Sequence, residues 1–299
     1  MIQIQNALNP NNLLRWHPVT GATLPFSYQD ITNSGLVAGE SYDFDAGDFD
    51  PLDFATGSVK DLIRKPDRYT LPIFEGDEIN FFINMPNDII GLDTNNLELG
   101  LMQCGELAAA NIGELYFLTI FIEGVKIYGK ITIPALYPGK YNYIIYRTTT
   151  NEVLYVSNPV ELINDVSIKY TSMLKYRNRK DILGFNYFAD PGYYNTVRVH
   201  CSLIDEQTTE DISEYSDTNY NIITPKIVIR KEHTLEVDYL DSISHDALHL
   251  ALRHSEVYLN DIRIKMMAGY DRENTPGYGL SPATTKVQEV GFTRNLTTC

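Results

Sequence analysis

Between residues 78 and 157 six strand-length segments follow one another with no helix-length amphipathic stretch between them. They are EINFFINM (78–85), NLELGLMQ (96–103), ELYFLTIFIE (114–123), KIYGKITI (126–133), KYNYIIYR (140–147) and EVLYVS (152–157). Ile, Tyr, Phe, Thr and Val dominate them, and branched or aromatic side chains suit a pleated, half-buried surface. Turn chemistry separates them: Glu123-Gly124 as a hairpin turn, and Pro138-Gly139 just ahead of a strand of alternating aromatic and aliphatic residues. Six or seven strands in roughly 100 residues is the size of an immunoglobulin-like sandwich. Residues 67–165 are therefore expected to form one.

The pattern resumes beyond it in mixed form. Residues 165–174, 182–188, 195–204, 226–240 and 257–268 read as strands, with Val197, Val199 and Cys201 pointing inward against Arg198 and His200. One helix interrupts them at about 242–254. The acidic run 204–219 reads as an exposed loop. The expected fold is thus mainly β, with two β-sandwich-like domains, 67–165 and 166–268, the second carrying one short α-helix. Residues 1–66, broken by Pro10, Pro18, Pro25 and Pro51, and residues 269–299, marked by Pro and Gly, read as extended N- and C-terminal arms.

In the N-terminal arm, ESYDFDAGDFDPLDF (40–54) interleaves Asp43, Asp45, Asp48, Asp50 and Asp53 with Tyr42, Phe44, Phe49 and Phe54. Rings exposed to water call for a cover, so this reads as a docking arm with its rings in pockets and its carboxylates facing bases. A calcium loop of the EF-hand kind needs Gly at the sixth position and Glu at the twelfth, and neither is present. The natural counterpart is KYRNRK (175–180), where Lys175, Arg177, Arg179 and Lys180 surround Tyr176 in an otherwise acidic chain. Tyr42, Asp43, Phe44, Asp45, Asp48 and Phe49 of one subunit meeting that basic turn of another is the assembly contact expected here; a solvated turn is the plainer use of the cluster.

A formal net charge of −15 opposes a phosphate backbone, so nucleic acid is not expected as the main partner. The first residues, MIQIQNALNPNNLLRW, contain neither a basic n-region nor the apolar run of a signal peptide, and the longest apolar stretches are strand-length. A soluble chain assembled in the cytoplasm, with no membrane partner, is the expectation. Cys104, Cys201 and Cys299 are scattered, odd in number and without a C-x-x-C pair, which suits two buried thiols and one terminal thiol.

SISHDALHLALRH (242–254) most resembles a catalytic word. His245 and His249 stand four apart with Asp246 between them, one methylene short of the zincin H-E-x-x-H. On a 100° wheel Ile243, Ala247, Leu248, Leu250, Ala251 and Leu252 make an apolar arc that includes His254, while His245, Asp246, His249 and Arg253 fall on the wet side. Arg253 opposes a cation there and no second segment supplies a third ligand, so the stretch reads as a helix docked on a sheet, with Ser242 or Ser244 as N-cap. No phosphate-binding loop, dinucleotide fingerprint or nucleophile elbow occurs, and neither a metal nor a cofactor is expected.

YTSMLKYRNRKDILGFNYF (170–188), YYNTVRVHCSLI (193–204) and IRKEHTLEVDYLDSISHDALHLALRHSEVYLNDIRIK (229–265) together resemble a β-domain of virion structural proteins from phages infecting Bacteroidota, including the tail-barrel and neck ring proteins of crAss-like podophages. The shared pattern is a strand ending in LEVDY, a short helix and a further strand, and it covers roughly a third of the chain. The resemblance implies a non-enzymatic subunit of a cyclic homo-oligomer that joins portal and tail, located in the virion. It also implies contacts with other portal, ring and tail proteins and passive passage of DNA. It carries over no functional residues. A carbohydrate-binding β-sandwich protein is the alternative, since 21 Tyr offer stacking platforms.

Overall fold

The computed structural model describes residues 3–4, 12–24, 70–85, 96–103, 106–120, 124–178, 193–216, 218–219, 222–273, 280–291 and 294–296. The chain is mainly β, its antiparallel sheets consistent with sandwich-like units, and its one α-helix among the described residues lies in the later part.

The first unit contains β1 (Gln3–Ile4), β2 (Trp16–Thr23), β3 (Leu71–Ile73), β4 (Glu78–Met85), β5 (Leu97–Gln103), β6 (Glu106–Ala110), β7 (Gly113–Ile120), β8 (Gly124–Thr132), β9 (Gly139–Arg147) and β10 (Glu152–Leu162). One sheet runs β1-β2-β10-β9-β5-β6, with β3 added parallel to β10; the other is β4-β8-β7. Alternation explains the sandwich. Leu99, Leu101, Tyr143, Ile145 and Tyr155 project from the larger sheet into a core that Ile79, Phe81, Ile83 and Ile131 enter from the smaller. Trp16 ties the two, its ring centroid 4.6 Å from that of Phe81 and 6.4 Å from that of Tyr143. Gly129 stands opposite Phe81 in register, and a Cβ on it would lie 2.2 Å from Phe81 Cζ, so the ring occupies the space a side chain would need.

The second unit contains β11 (Ser172–Arg177), β12 (Asn195–Val199), β13 (Cys201–Ser216), β14 (Ile222–Asp241), α1 (Ser242–Leu252), β15 (Glu256–Leu259), β16 (Ile262–Met266), β17 (Asp271–Arg272), β18 (Leu280–Glu289) and β19 (Arg294–Leu296). Its sheet runs β12-β11-β15-β16-β18-β14-β13, with β17 beside β18 and β19 beside β14. Ala247, Leu248, Ala251 and Leu252 of α1 bury against Leu174, Val237, Leu240 and neighbouring apolar side chains. The two units meet directly. Tyr128 of β8 makes an edge contact with Tyr193 at 5.2 Å, and Tyr176 and Asn195 both donate to Asn12 Oδ1 at 3.2 Å.

Several expectations change. Residues 204–219 are not a loop: most of them form β13, which pairs with β14 in a long hairpin. Residues 204–208 are exposed one after another, so no apolar period marked the strand. Residues 257–268 are two strands and not one, turned at Asn260-Asp261, whose φ values of 47° and 66° are the left-handed pair of a tight hairpin. Residues 165–171 are a turn and a 3-10 turn, and the strand starts at Ser172. The helix N-cap is Asp241, whose side chain accepts from the Ser244 amide at 2.7 Å, in place of Ser242 or Ser244. Parts of both expected arms are extended as strands of the chain's own sheets: β2 lies along β10 with Leu13, Leu14 and Trp16 in the core, and β18 lies between β14 and β16. Segment 182–188 is outside the described residues.

Candidate functional site

The histidine helix settles first. His245, expected on the wet side, is 1 % exposed. It shares the i, i+3, i+7 stripe with Leu248 and Leu252, and the groups that satisfy its ring are remote in sequence, where a helical wheel cannot see them. Its Nε2 lies 2.7 Å from the Ser281 carbonyl, which only accepts, so Nε2 carries the proton; Nδ1 accepts from the Tyr270 hydroxyl at 2.7 Å. Burial lowers its pKa, keeping it neutral. A metal would need the Nδ1 lone pair that Tyr270 occupies. Ser281 Oγ sits 3.2 Å from Nε2, yet a nitrogen that already bears a proton takes none from a hydroxyl. Arg272 extends the brace, donating to Ser281 Oγ at 2.8 Å and to Ser242 Oγ at 3.0 Å, and His249 stacks on Tyr270 at 5.2 Å. The motif fastens α1 to β17 and β18. Among the described residues no group of three His, Cys, Asp or Glu side chains is placed to hold a metal ion, and no helix is long and apolar enough to cross a membrane.

The outward face of β11 is different in kind. Ser172, Leu174 and Tyr176 turn inward by strand alternation, so Met173, Lys175 and Arg177 turn outward. Lys175 Nζ lies 4.7 Å from the Tyr194 ring centroid and 6.0 Å from that of Tyr258, and the Arg177 guanidinium is 5.1 Å from Tyr194. Each contact is a cation on an aromatic face. Tyr194 and Tyr258 meet edge to face at 5.9 Å, and the Tyr194 hydroxyl donates to Glu256 at 2.6 Å. Burial, then the neighbouring Glu256 carboxylate, pushes the Tyr194 hydroxyl up to about 12. Across the sheet Lys175 stands opposite Tyr258 and Tyr258 opposite Arg263, with Lys265 two residues further along the same side of β16. Four cations, two tyrosines and the carboxylate of Glu256 therefore share this face of an acidic protein.

Beside this face, where the second sheet abuts the β3–β4 turn, lies a polar recess of about 350 Å³ lined by Asp77, Asn80, Lys175, Thr196, Arg198 and Asn260. Arg198, expected on the side opposite the inward valines, is 8 % exposed because the first unit covers that side of β12. Its Nε donates to Asp77 Oδ2 at 2.7 Å, Nη2 to Oδ1 at 2.5 Å and Nη1 to Thr171 Oγ1 at 3.1 Å. The forked pair is consumed in joining the units.

The opposite end of the same sheet is acidic. β13 is the last strand in the order, and its outer edge pairs with no other described strand. A bulge at Asp205-Glu206, with Asp205 at φ 52°, bends it away from the core, and Glu206 clasps Lys231 at 2.8 Å. Beyond the bulge Glu210, Ile212 and Glu214 are exposed on one face, Ile212 by half its surface.

Of the expected assembly residues, Lys175 and Arg177 lie together on the cationic face. Arg179 and Lys180, and Tyr42, Asp43, Phe44, Asp45, Asp48 and Phe49 of the acidic segment, are outside the described residues. Tyr194, Tyr258 and Arg263 were missed; reading Asn260-Asp261 as a turn would have placed Tyr258 and Arg263 side by side. Cys201 is buried, its thiol pushed up to about 12 by desolvation, while Cys104 and Cys299 are outside the described residues. Comparison with protein-family models, with curated proteins and with solved structures finds no match to this chain.

Proposed function

We propose that the chain is a non-enzymatic virion structural protein, a ring-forming subunit of a phage neck or tail that joins portal and tail components. The carrying observation is the β13–β14 hairpin. β13 and β14 are 16 and 20 residues long, and the hairpin ends in exposed side chains on an open strand edge. A strand edge of that length is an invitation to pair with another chain, and a monomer with no partner would have reason to shorten or cover it. The cationic, tyrosine-bearing face offers a matching surface elsewhere on the molecule. The likeness of 170–265 to phage ring proteins supplies the virion setting. Catalysis has no support in the one constellation that resembled it, since both nitrogens of His245 are engaged.

Carbohydrate binding is the second reading, and Tyr137, Tyr170 and Tyr239, 88 %, 59 % and 61 % exposed, favour it. They sit on the loop before β9, on the 3-10 turn and on β14. Light-scattering mass together with negative-stain images of the purified protein, alone and with other virion components, separates the two. Rings, or polymers formed on adding partners, support the structural role. A compact monomer in both conditions that binds a glycan array overturns it.

A further inference from the structure

Resting on the ring-subunit reading, we infer that the exposed Glu210-Ile212-Glu214 stripe of β13 docks on the Lys175-Tyr258-Arg263 face of a second copy of this chain. The two surfaces match in charge and in order. Residues two apart on a strand share a face, so Glu210 and Glu214 stand about 13 Å apart with Ile212 between them. On the receiving face Lys175 and Arg263 occupy β11 and β16, two strands apart, which is about 10 Å, and Tyr258 lies between them. Acid, aliphatic, acid thus meets cation, ring, cation, within the reach of Lys and Arg side chains.

The contact cannot close within one chain. β11 and β16 are five and three positions from β13 in the order of one sheet, roughly 24 and 14 Å across it, and the stripe lies beyond a bulge on the last strand. Two different patches at opposite ends of one subunit make a head-to-tail contact. Contacts of that kind generate a ring when the rotation closes and a filament when it does not. Lys175 is held over Tyr194 and Tyr258, and among the described residues it makes no ion pair, which leaves its charge for an arriving acid. Opposed charges of this kind fix orientation and speed encounter, and the pairing weakens as salt rises.

The test uses the full chain and two charge-reversed variants, E210K/E214K and K175E/R263E, with mass read by light scattering over a dilution series. Glu210 and Glu214 are exposed and Lys175 and Arg263 half-buried, so thermal melts matching wild type are required to confirm that the variants fold. Each variant alone is expected to associate at least about tenfold more weakly than wild type. Mixed in equal amounts they regain assembly, because reversed hairpin meets reversed face and native hairpin meets native face. E210Q/E214Q, which removes charge without reversing it, weakens association less than E210K/E214K. Wild type that assembles while its variants do so equally well overturns this docking and leaves the ring-subunit reading standing. Variants that fail singly and also fail when mixed overturn it as well. Wild type that stays monomeric at every concentration overturns it too, and the ring-subunit reading then rests on the images taken with other virion components.

Discussion

The two units achieve stability by different means. The first presses two sheets together over aromatic side chains, with Trp16 against both Phe81 and Tyr143 and all three 2 % exposed or less. The second lays one helix on a broad single sheet and fastens it with named polar contacts: Asp241 to the Ser244 amide, His245 between Tyr270 and Ser281, Arg272 on two serines. Apolar burial is indifferent to exact partners, whereas a buried polar group is costly unless its one partner is in place. The aromatic core of the first unit therefore tolerates rearrangement so long as volume is kept, whereas the helix of the second depends on particular hydrogen bonds. Even the first unit has an exception. Arg15 Nε and Nη1 and both His17 ring nitrogens are buried with no hydrogen-bond partner among the described residues, and burial together with the Arg15 charge drives His17 down to about 3.

The largest effect expected is from Trp16→Ala, which opens the sandwich where its sheets touch and costs about 4 kcal/mol in denaturant unfolding. If the two units unfold independently, that loss appears in one transition and spares the other. Asp77→Ala sharpens the same comparison at the join. It leaves the Arg198 guanidinium buried without its carboxylate and costs about 3 kcal/mol, whereas replacing both partners by apolar residues restores most of it. A single cooperative transition lowered by Asp77→Ala shows the units to be coupled; two transitions, neither moved, breaks that view.

His245→Leu is smaller, about 2 kcal/mol, because Tyr270 and Ser281 lose their buried partner but the stripe stays apolar. This variant also tests pH dependence. His245 and His254 are held neutral by burial, His254 down to about 4 from the ordinary 6.5. With folded pKa values depressed, the unfolded chain binds more protons between those limits. Stability is then full above about pH 6.5 and falls as pH drops toward 4. The slope in that window, measured by unfolding at several pH values, should be shallower in His245→Leu; an unchanged slope counts against a neutral, buried His245.

Strand content was legible wherever one face is dry. Segments 78–85, 96–103 and 140–147 have observed strands within a residue or so of their expected ends, because runs of apolar and aromatic residues such as Phe81–Ile83, Leu99–Met102 and Tyr143–Tyr146 are buried. β13 was illegible for the opposite reason: Thr208, Glu210, Ile212 and Glu214 are exposed, and its order comes from the backbone ladder with β14. Of the candidate site, Lys175 and Arg177 were visible as an unusual basic word, and their mutual direction followed from strand alternation. Their ring partners were not, since Tyr194 precedes β12 and Tyr258 lies in β15.

What the amino-acid order determined alone is where most of the strands of the first unit run and the helix carrying His245; the Glu123-Gly124 turn lies partly outside the described residues. The strands and the helix depend on neighbours a few residues away, where alternation and backbone preference act directly. Tertiary structure alone decided that Arg198 meets Asp77, that His245 faces Ser281, and that the cationic and acidic surfaces occupy opposite ends of one sheet. Each joins residues remote in sequence, and which remote groups meet is set by how whole sheets pack, a property no local pattern encodes.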